Sequence, residues 1–216
     1  MENDFIMELT QTVQEYFNEL SSDSPTPGGG NVAAVCGALA SSLGTMVCNL
    51  TIGKKKYEEF EKELVKAKDK LSAYRELFFK LSKLDNEAFE EVMTAYKMPK
   101  QNETQSNIRA GKIEHATLNA AEIPSEVLKN CQEILPFLNT ISQKGNKNSL
   151  SDTGVAILLT EASAKAAYLN ILINCKSLAN QTIANEILKK NQIILEEVIA
   201  ECKRMSESLI KEIISK

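Results

Sequence analysis

An apolar seam in this chain carries one carboxylate. From Phe60, apolar side chains recur in alternating steps of four and three through Leu64, Ala67, Leu71, Tyr74, Phe78, Leu81, Asp85, Ala88, Val92 and Ala95. Ten of these eleven positions are apolar or aromatic, and the exception is Asp85. Burying a carboxylate costs on the order of several kcal/mol unless it is paired, hydrogen-bonded or protonated. The chemistry such a group offers is proton transfer: where bulk water is excluded its pKa rises toward neutrality, and it can take a proton and return it. A structural carboxylate, satisfied by lysine or backbone donors or lying at a splayed end of a bundle, accounts for the position equally well.

A second set of residues is suited to holding an anion. Ser24-Pro-Thr-Pro27-Gly28-Gly29-Gly30 leads into an uncharged run from Asn31 to Gly53, which closes on Lys54-Lys55-Lys56-Tyr57. The prolines fix the backbone, the glycines let it approach a ligand closely, and the N–H groups beyond them stand at the positive end of a helix. The lysines add opposite charge for an acidic ligand. Taken singly, a Pro/Gly stretch is a loop and a lysine run is a solvated face. Asn170 and Asn174 lie one helical turn apart among apolar neighbours, and buried amides need partners, from another helix's backbone or from a heterocycle. Asp152 falls in a first helical turn, where capping and the helix dipole already favour an acid.

Other chemistries find little support. His115 is the single histidine and has no nucleophile-elbow context, so no metal site is implied. The five cysteines are widely spaced with no Cys-x-x-Cys pair, which reads as reduced structural thiols, Cys202 being the one expected to be partly exposed. A net charge of −4 and the lack of a basic stripe with aromatics argue against nucleic acid. The acidic N-terminus is neither a signal nor a transit sequence, so a cytoplasmic protein is expected.

The elements that must position these groups are helices. An amphipathic helix is expected over 2–20, with Phe5, Leu9, Val13, Tyr16 or Phe17 and Leu20 on one face. A small-residue helix follows over 31–52, with Ala33, Gly37, Ala40 and Gly44 permitting close backbone contact. Its 23 uncharged residues are long enough to span a bilayer, but Asn31, Ser41, Ser42, Thr45, Asn49 and Thr51 favour a central helix enclosed by others. Further helices are expected over 58–96, over 103–121 with Thr104 as cap and Pro124 as breaker, and over 126–141 with a kink at Pro136. Two more follow: about 28 residues from Ser149 or Ser151, and a last one over 182–214. The expectation is a single domain, 1–216, all-α, a bundle of about seven long, mostly antiparallel helices.

The order Pro-Thr-Pro-Gly-Gly-Gly, small-residue helix, Asn49-Leu-Thr-Ile-Gly-Lys-Lys-Lys-Tyr57 resembles the cyclodeaminase/methenyltetrahydrofolate cyclohydrolase family, which is also the C-terminal domain of formiminotransferase-cyclodeaminase. The likeness continues through Asp85-x-x-Ala88-Phe89, Ala95, Met98-Pro99-Lys100, Ala120-Ala121, Asn148-x-x-Ser151-Asp152 and Tyr168-x-Asn170-x-x-Ile173-Asn174. Asn31 departs from it, since a serine is expected after the glycines. The resemblance implies an all-helical enzyme of folate one-carbon metabolism that uses a tetrahydrofolate derivative as substrate and no tightly bound cofactor. Two reactions remain open: hydrolysis of 5,10-methenyltetrahydrofolate to 10-formyltetrahydrofolate, or release of ammonia from 5-formiminotetrahydrofolate by a cyclodeaminase, a lyase. The 216 residues leave no room for a formiminotransferase domain beside this one, so a stand-alone cyclohydrolase or free cyclodeaminase is expected.

On this resemblance Asp85 is the acid/base. Pro27, Gly28, Gly29, Gly30, Lys54, Lys55 and Lys56 would hold the carboxylates of the folate's glutamate or polyglutamate tail, and Asn170, Asn174 and Asp152 would face the pterin. The family also implies a homodimer with sites near the subunit contact, and no nucleic-acid or membrane partner. The competing reading is a non-catalytic helical adaptor that docks a partner through the glycine elbow.

Overall fold

Glycine recurs every seven residues on the small-residue helix, at Gly30, Gly37 and Gly44, and the fold is organised around that repeat. The computed structural model describes residues 11–215, all of its regular structure being helical. The helices are α1 (Val13–Leu20), α2 (Gly29–Asn49), α3 (Glu61–Lys97), α4 (Glu103–Lys144), α5 (Leu150–Ser177) and α6 (Gln181–Ile214). Short 3-10 turns, Lys55–Phe60 and Lys147–Ser149, lead into α3 and α5. Of the helix expected over 2–20, residues 2–10, with Phe5 and Leu9, lie outside the described residues.

Helix α2 is the axis of an up-and-down bundle, packed by α3, α4 and α5. A Cβ on Gly44 would come within 2.8 Å of Leu71 Cδ1, and one on Gly37 within 2.6 Å of the Phe78 ring. The α2 backbone therefore lies directly on α3, each seam residue filling the gap a glycine leaves. On the α5 side the Ser163 hydroxyl donates to the Ala33 carbonyl at 2.6 Å. Phe78, Leu64, Leu71, Ile134, Leu138, Ile157, Ile171 and Met205 are fully buried around this axis. Each contributes roughly 1.5–3 kcal/mol by leaving water.

Two helices expected from the sequence are one. Helix α4 runs unbroken for 42 residues with Pro124 and Pro136 inside it. Pro124 has no N–H to give the Ala120 carbonyl one turn earlier, and Asn174 Nδ2 on α5 donates to that oxygen at 2.6 Å. A side chain from the neighbouring helix thus satisfies the group that proline orphans, and the helix continues. Its cap is Asn102, whose Oδ1 accepts the Gln105 N–H at 2.8 Å, rather than Thr104. Gly29 and Gly30, expected in the loop, form the first turn of α2. Cys202, expected to be partly exposed, is fully buried.

The chain alternates between two ends. At the glycine end lie the start of α2, Asp85 of α3 and the last turns of α5. At the lysine end lie the finish of α2, Lys54–Lys56 and the start of α5, joined where the Asn146 N–H donates to Thr51 Oγ1 at 2.9 Å and Asn146 Nδ2 to the Leu50 carbonyl at 3.0 Å.

Candidate active site

The glycine end begins with a helix that lacks a cap of its own. Gly28, the residue before α2, is extended and has no side chain to offer the first-turn N–H groups. The carboxylate of Asp85 lies against that turn instead. A Cβ on Gly30 would meet Asp85 Oδ1 at 2.1 Å and Cγ at 2.6 Å, so only a bare α-carbon leaves room for the acid. Asp85 occupies in the third layer of the α2–α3 seam the place that Phe78 and Leu71 occupy in the first two.

Burial is the first cause of its altered acidity and pushes the Asp85 pKa from 3.8 up to about 6; hydrogen bonding from the Asn31 backbone N–H acts in the opposite direction. The group is half-buried. It can thus be either a carboxylate or a carboxylic acid near neutral pH, which suits a group that must take up and release a proton in one cycle.

Helix α5 supplies the adjoining wall. The Asn170 carboxamide lies against Gly29, its Nδ2 3.5 Å from where a Cβ would stand, and the same Nδ2 donates to the Ala166 carbonyl at 2.9 Å. Asp85 and Asn170 therefore flank consecutive glycines, with buried Pro27 and the Gly28 cap behind them. One turn further along α5, Asn174 spends its amide on Ala120. Of the two partners open to it from the sequence, its Nδ2 takes another helix's backbone.

Two expected elements of the site lie elsewhere in the chain. Lys54, Lys55 and Lys56 follow the far end of α2, about 30 Å from Gly29 given 21 residues at 1.5 Å each. Asp152, in the first turn of α5, is at that same end. Within one chain the glycines and the lysines do not form a joint anion site, and the anion that meets the elbow is the protein's own Asp85. The lysine end is built on Tyr57, whose hydroxyl accepts the Lys147 N–H at 3.1 Å, with the Lys56 ammonium 5.6 Å from its ring centre.

Sequence reasoning missed the network beside Asp85, in which the Asn31 carboxamide bonds the Tyr16 hydroxyl, the Ser82 carbonyl and the Asn86 side chain, while the Asn31 backbone N–H bonds Asp85 itself. It also missed Glu114 of α4, whose carboxylate accepts the Ala179 and Asn180 N–H groups at 2.7 and 2.9 Å, at the entry to α6. The seven-residue glycine repeat facing the α3 seam was the available signal for the first group. Nothing in the sequence announces the second.

Thiol chemistry has no foothold in the core: burial pushes both Cys131 and Cys202 up to about 12, keeping them protonated. Among the described residues no three His, Cys, Asp or Glu side chains gather as metal ligands.

An all-helical bundle whose central helix starts on glycines, with a carboxylate of raised pKa seated against them, is the architecture to be placed among known proteins. Residues 12–192 match the formiminotransferase-cyclodeaminase family, and the chain belongs to it. It is 38% identical over 206 residues to a methenyltetrahydrofolate cyclohydrolase of Methylorubrum extorquens, covering 95% of this chain and 97% of that one. It is 26% identical over 189 residues to the formimidoyltransferase-cyclodeaminase of Rattus norvegicus, of which it spans 35%. Among solved structures, the formiminotetrahydrofolate cyclodeaminase of Thermotoga maritima matches with a TM-score of 0.80 and 33% identity, over 94% of this chain and 98% of that one.

Proposed function

We propose that this protein is a methenyltetrahydrofolate cyclohydrolase in which Asp85 is the acid/base. The observation that carries the reading is the seat of Asp85: a half-buried carboxylate, its pKa pushed by burial up to about 6, against the bare α-carbon of Gly30, in a chain that aligns nearly end to end with a cyclohydrolase. Water adds to the cationic methenyl carbon between N5 and N10 of the folate, and the Asp85 carboxylate takes its proton. The tetrahedral adduct then opens at the C–N5 bond: Asp85 returns its proton to N5, and the adduct hydroxyl loses its proton to solvent as the formyl C=O forms. One carboxylate serves both halves, in keeping with a pKa near the operating pH. Asn170, beside Gly29, would meet the pterin.

The match to a solved cyclodeaminase favours a second reading, in which N10 attacks the N5-formimino carbon and ammonia departs. The purified protein decides between them. Loss of methenyltetrahydrofolate absorbance without ammonia release from the formimino compound is the expected result, and the reverse would assign the cyclodeaminase.

The lysine end enters through a second copy. Helix α5 exposes Val155, Leu158, Leu169 and Leu172, and α2 exposes Leu39 and Met46, an apolar surface running between the two ends. A two-fold homodimer built on it, with the helices antiparallel across the axis, brings Lys54, Lys55, Lys56 and Asp152 of one subunit toward the glycine end of its mate. There the lysines would hold the folate's glutamate carboxylates. Met at all three lysines should then weaken binding of polyglutamylated folate more than of the monoglutamate, a difference that added salt shrinks. Equal loss for both forms would remove the lysines from the tail. The reading places the enzyme in the cytoplasm, with no cofactor beyond its folate substrate.

A further inference from the structure

Asn31 is the residue at which three helices meet. Its Nδ2 donates to the Ser82 carbonyl at 2.9 Å and to Asn86 Oδ1 at 3.3 Å, while its Oδ1 accepts the Tyr16 hydroxyl at 2.8 Å. Ser82 and Asn86 bracket Asp85 on α3, one turn before it and one residue after. The carboxamide is 5% exposed, with its donors and its acceptor engaged by different helices. A buried amide held this way fixes both the rotation and the depth of the first turn of α2 against α3.

Among the described residues, little besides the Tyr16 tie holds α1. None of its residues is buried, and Val13 and Phe17 are 70% and 57% exposed. Tyr16, half-buried, reaches in to Asn31. Burial raises the Tyr16 pKa above its ordinary 10.0, so the hydroxyl stays protonated and remains a donor throughout the neutral range. Cys36 of α2 and Glu19 of α1 add to that rise, and the side chains of Asn31, Asn86 and Asn170 nearby do not titrate.

We infer that Tyr16 and Asn31 are positioning residues: the Tyr16 hydroxyl orients the Asn31 carboxamide, which locks the first turn of α2 onto α3 and so keeps the Asn31 N–H and the Gly30 α-carbon against the Asp85 carboxylate. Neither side chain is asked to touch the substrate. The inference rests on Asp85 being the acid/base. It concerns Asn31, the position at which this chain departs from the serine expected after the glycines.

The test follows Asp85 directly, by 13C carboxyl NMR titration of the aspartate-labelled protein, the Asp85 signal being identified by its loss in Asp85→Asn. Wild type, Tyr16→Phe and Asn31→Ala are compared, with kcat and KM measured on the same samples. Loosening the clamp withdraws the N–H that favours the anion, so the Asp85 midpoint should rise by about 0.5 to 1 pH unit from its starting value near 6. Above that midpoint kcat should still fall about 10-fold in Tyr16→Phe and further in Asn31→Ala, while KM moves by less than about 3-fold, as expected when orientation rather than binding is lost. Should Asn31→Ala not fold, Tyr16→Phe decides alone, because α1 contributes no buried residue. A midpoint that stays or falls, or a kcat that is unchanged, overturns the inference. An active Asp85→Asn overturns the acid/base assignment instead, so the two failures are distinct.

Discussion

The second and third layers of the α2–α3 seam share a register and differ in one side chain. In one, Gly37 receives the ring of Phe78; in the other, seven residues on, Gly30 receives the carboxylate of Asp85. The geometry is that of a packing site in both. Phe78 is fully buried, and its layer contributes to the core. Asp85 lies where packing alone would place another hydrophobe, and its raised pKa shows that the folded protein disfavours the charged form. The seam supplies position and dehydration and the start of α2 supplies a donor; on the proposed function, stability is given up at that layer for a proton acceptor. The site is thus a core layer with one residue changed.

Replacing the acid should separate the two layers most sharply. Asp85→Asn keeps the volume and removes the proton acceptor, so turnover should drop by about 10²–10⁴-fold with the helical content unchanged. The same variant should gain stability. A folded pKa of about 6 against an ordinary 3.8 means that the native state binds more protons than the unfolded state between those pH values, so the wild type loses stability as pH rises through that window. Discounted for partial solvent access, the loss is about 2 kcal/mol at pH 7. Asp85→Asn should therefore melt higher than wild type at pH 7 and no higher at pH 4, checked by thermal melts at both.

A methyl group at each glycine extends the contrast. Gly30→Ala would place Cβ 2.1 Å from Asp85 Oδ1 and should lower turnover by about 10²-fold through misplacement of the acid. Gly37→Ala would place Cβ 2.6 Å from the Phe78 ring and should destabilise by about 1–3 kcal/mol, with little change in turnover per folded molecule. Parallel loss of stability and turnover in both variants would erase the distinction between the layers. The smallest effect is expected at the other inter-helical cap. Glu114 accepts two backbone N–H groups entering α6, so Glu114→Gln should cost about 1 kcal/mol in a denaturant melt and leave turnover unchanged.

Much of this was legible in the sequence, for reasons that differ by residue. The α3 seam exposes Asp85 because a period of four and three leaves one polar side chain among apolar ones. The chain's membership of a folate-enzyme family was carried by the elbow and the lysine triplet that follows α2. The 23-residue uncharged run reads correctly as a central helix because its small residues suit close packing. Distance was not legible: the elbow and the lysines are joined by a single helix, and its length holds them apart. Nor was the continuity of α4, because a proline breaks a helix only when the carbonyl it orphans finds no donor, and the donor Asn174 is 54 residues away. The network of Asn31 joins residues 15 and 51 positions apart and has no local signature.

The central claim is that the seam makes Asp85 a base that must be ionised to start hydrolysis. The pH dependence of kcat/KM for loss of methenyltetrahydrofolate absorbance, corrected for the uncatalysed reaction, tests it most directly, since this quantity reports the groups of the free enzyme. The account predicts an acid limb with a midpoint at about 6, matching Asp85 and absent from the residual activity of Asp85→Asn. A limb near the ordinary aspartate value of 3.8, or one that survives in Asp85→Asn, would contradict it.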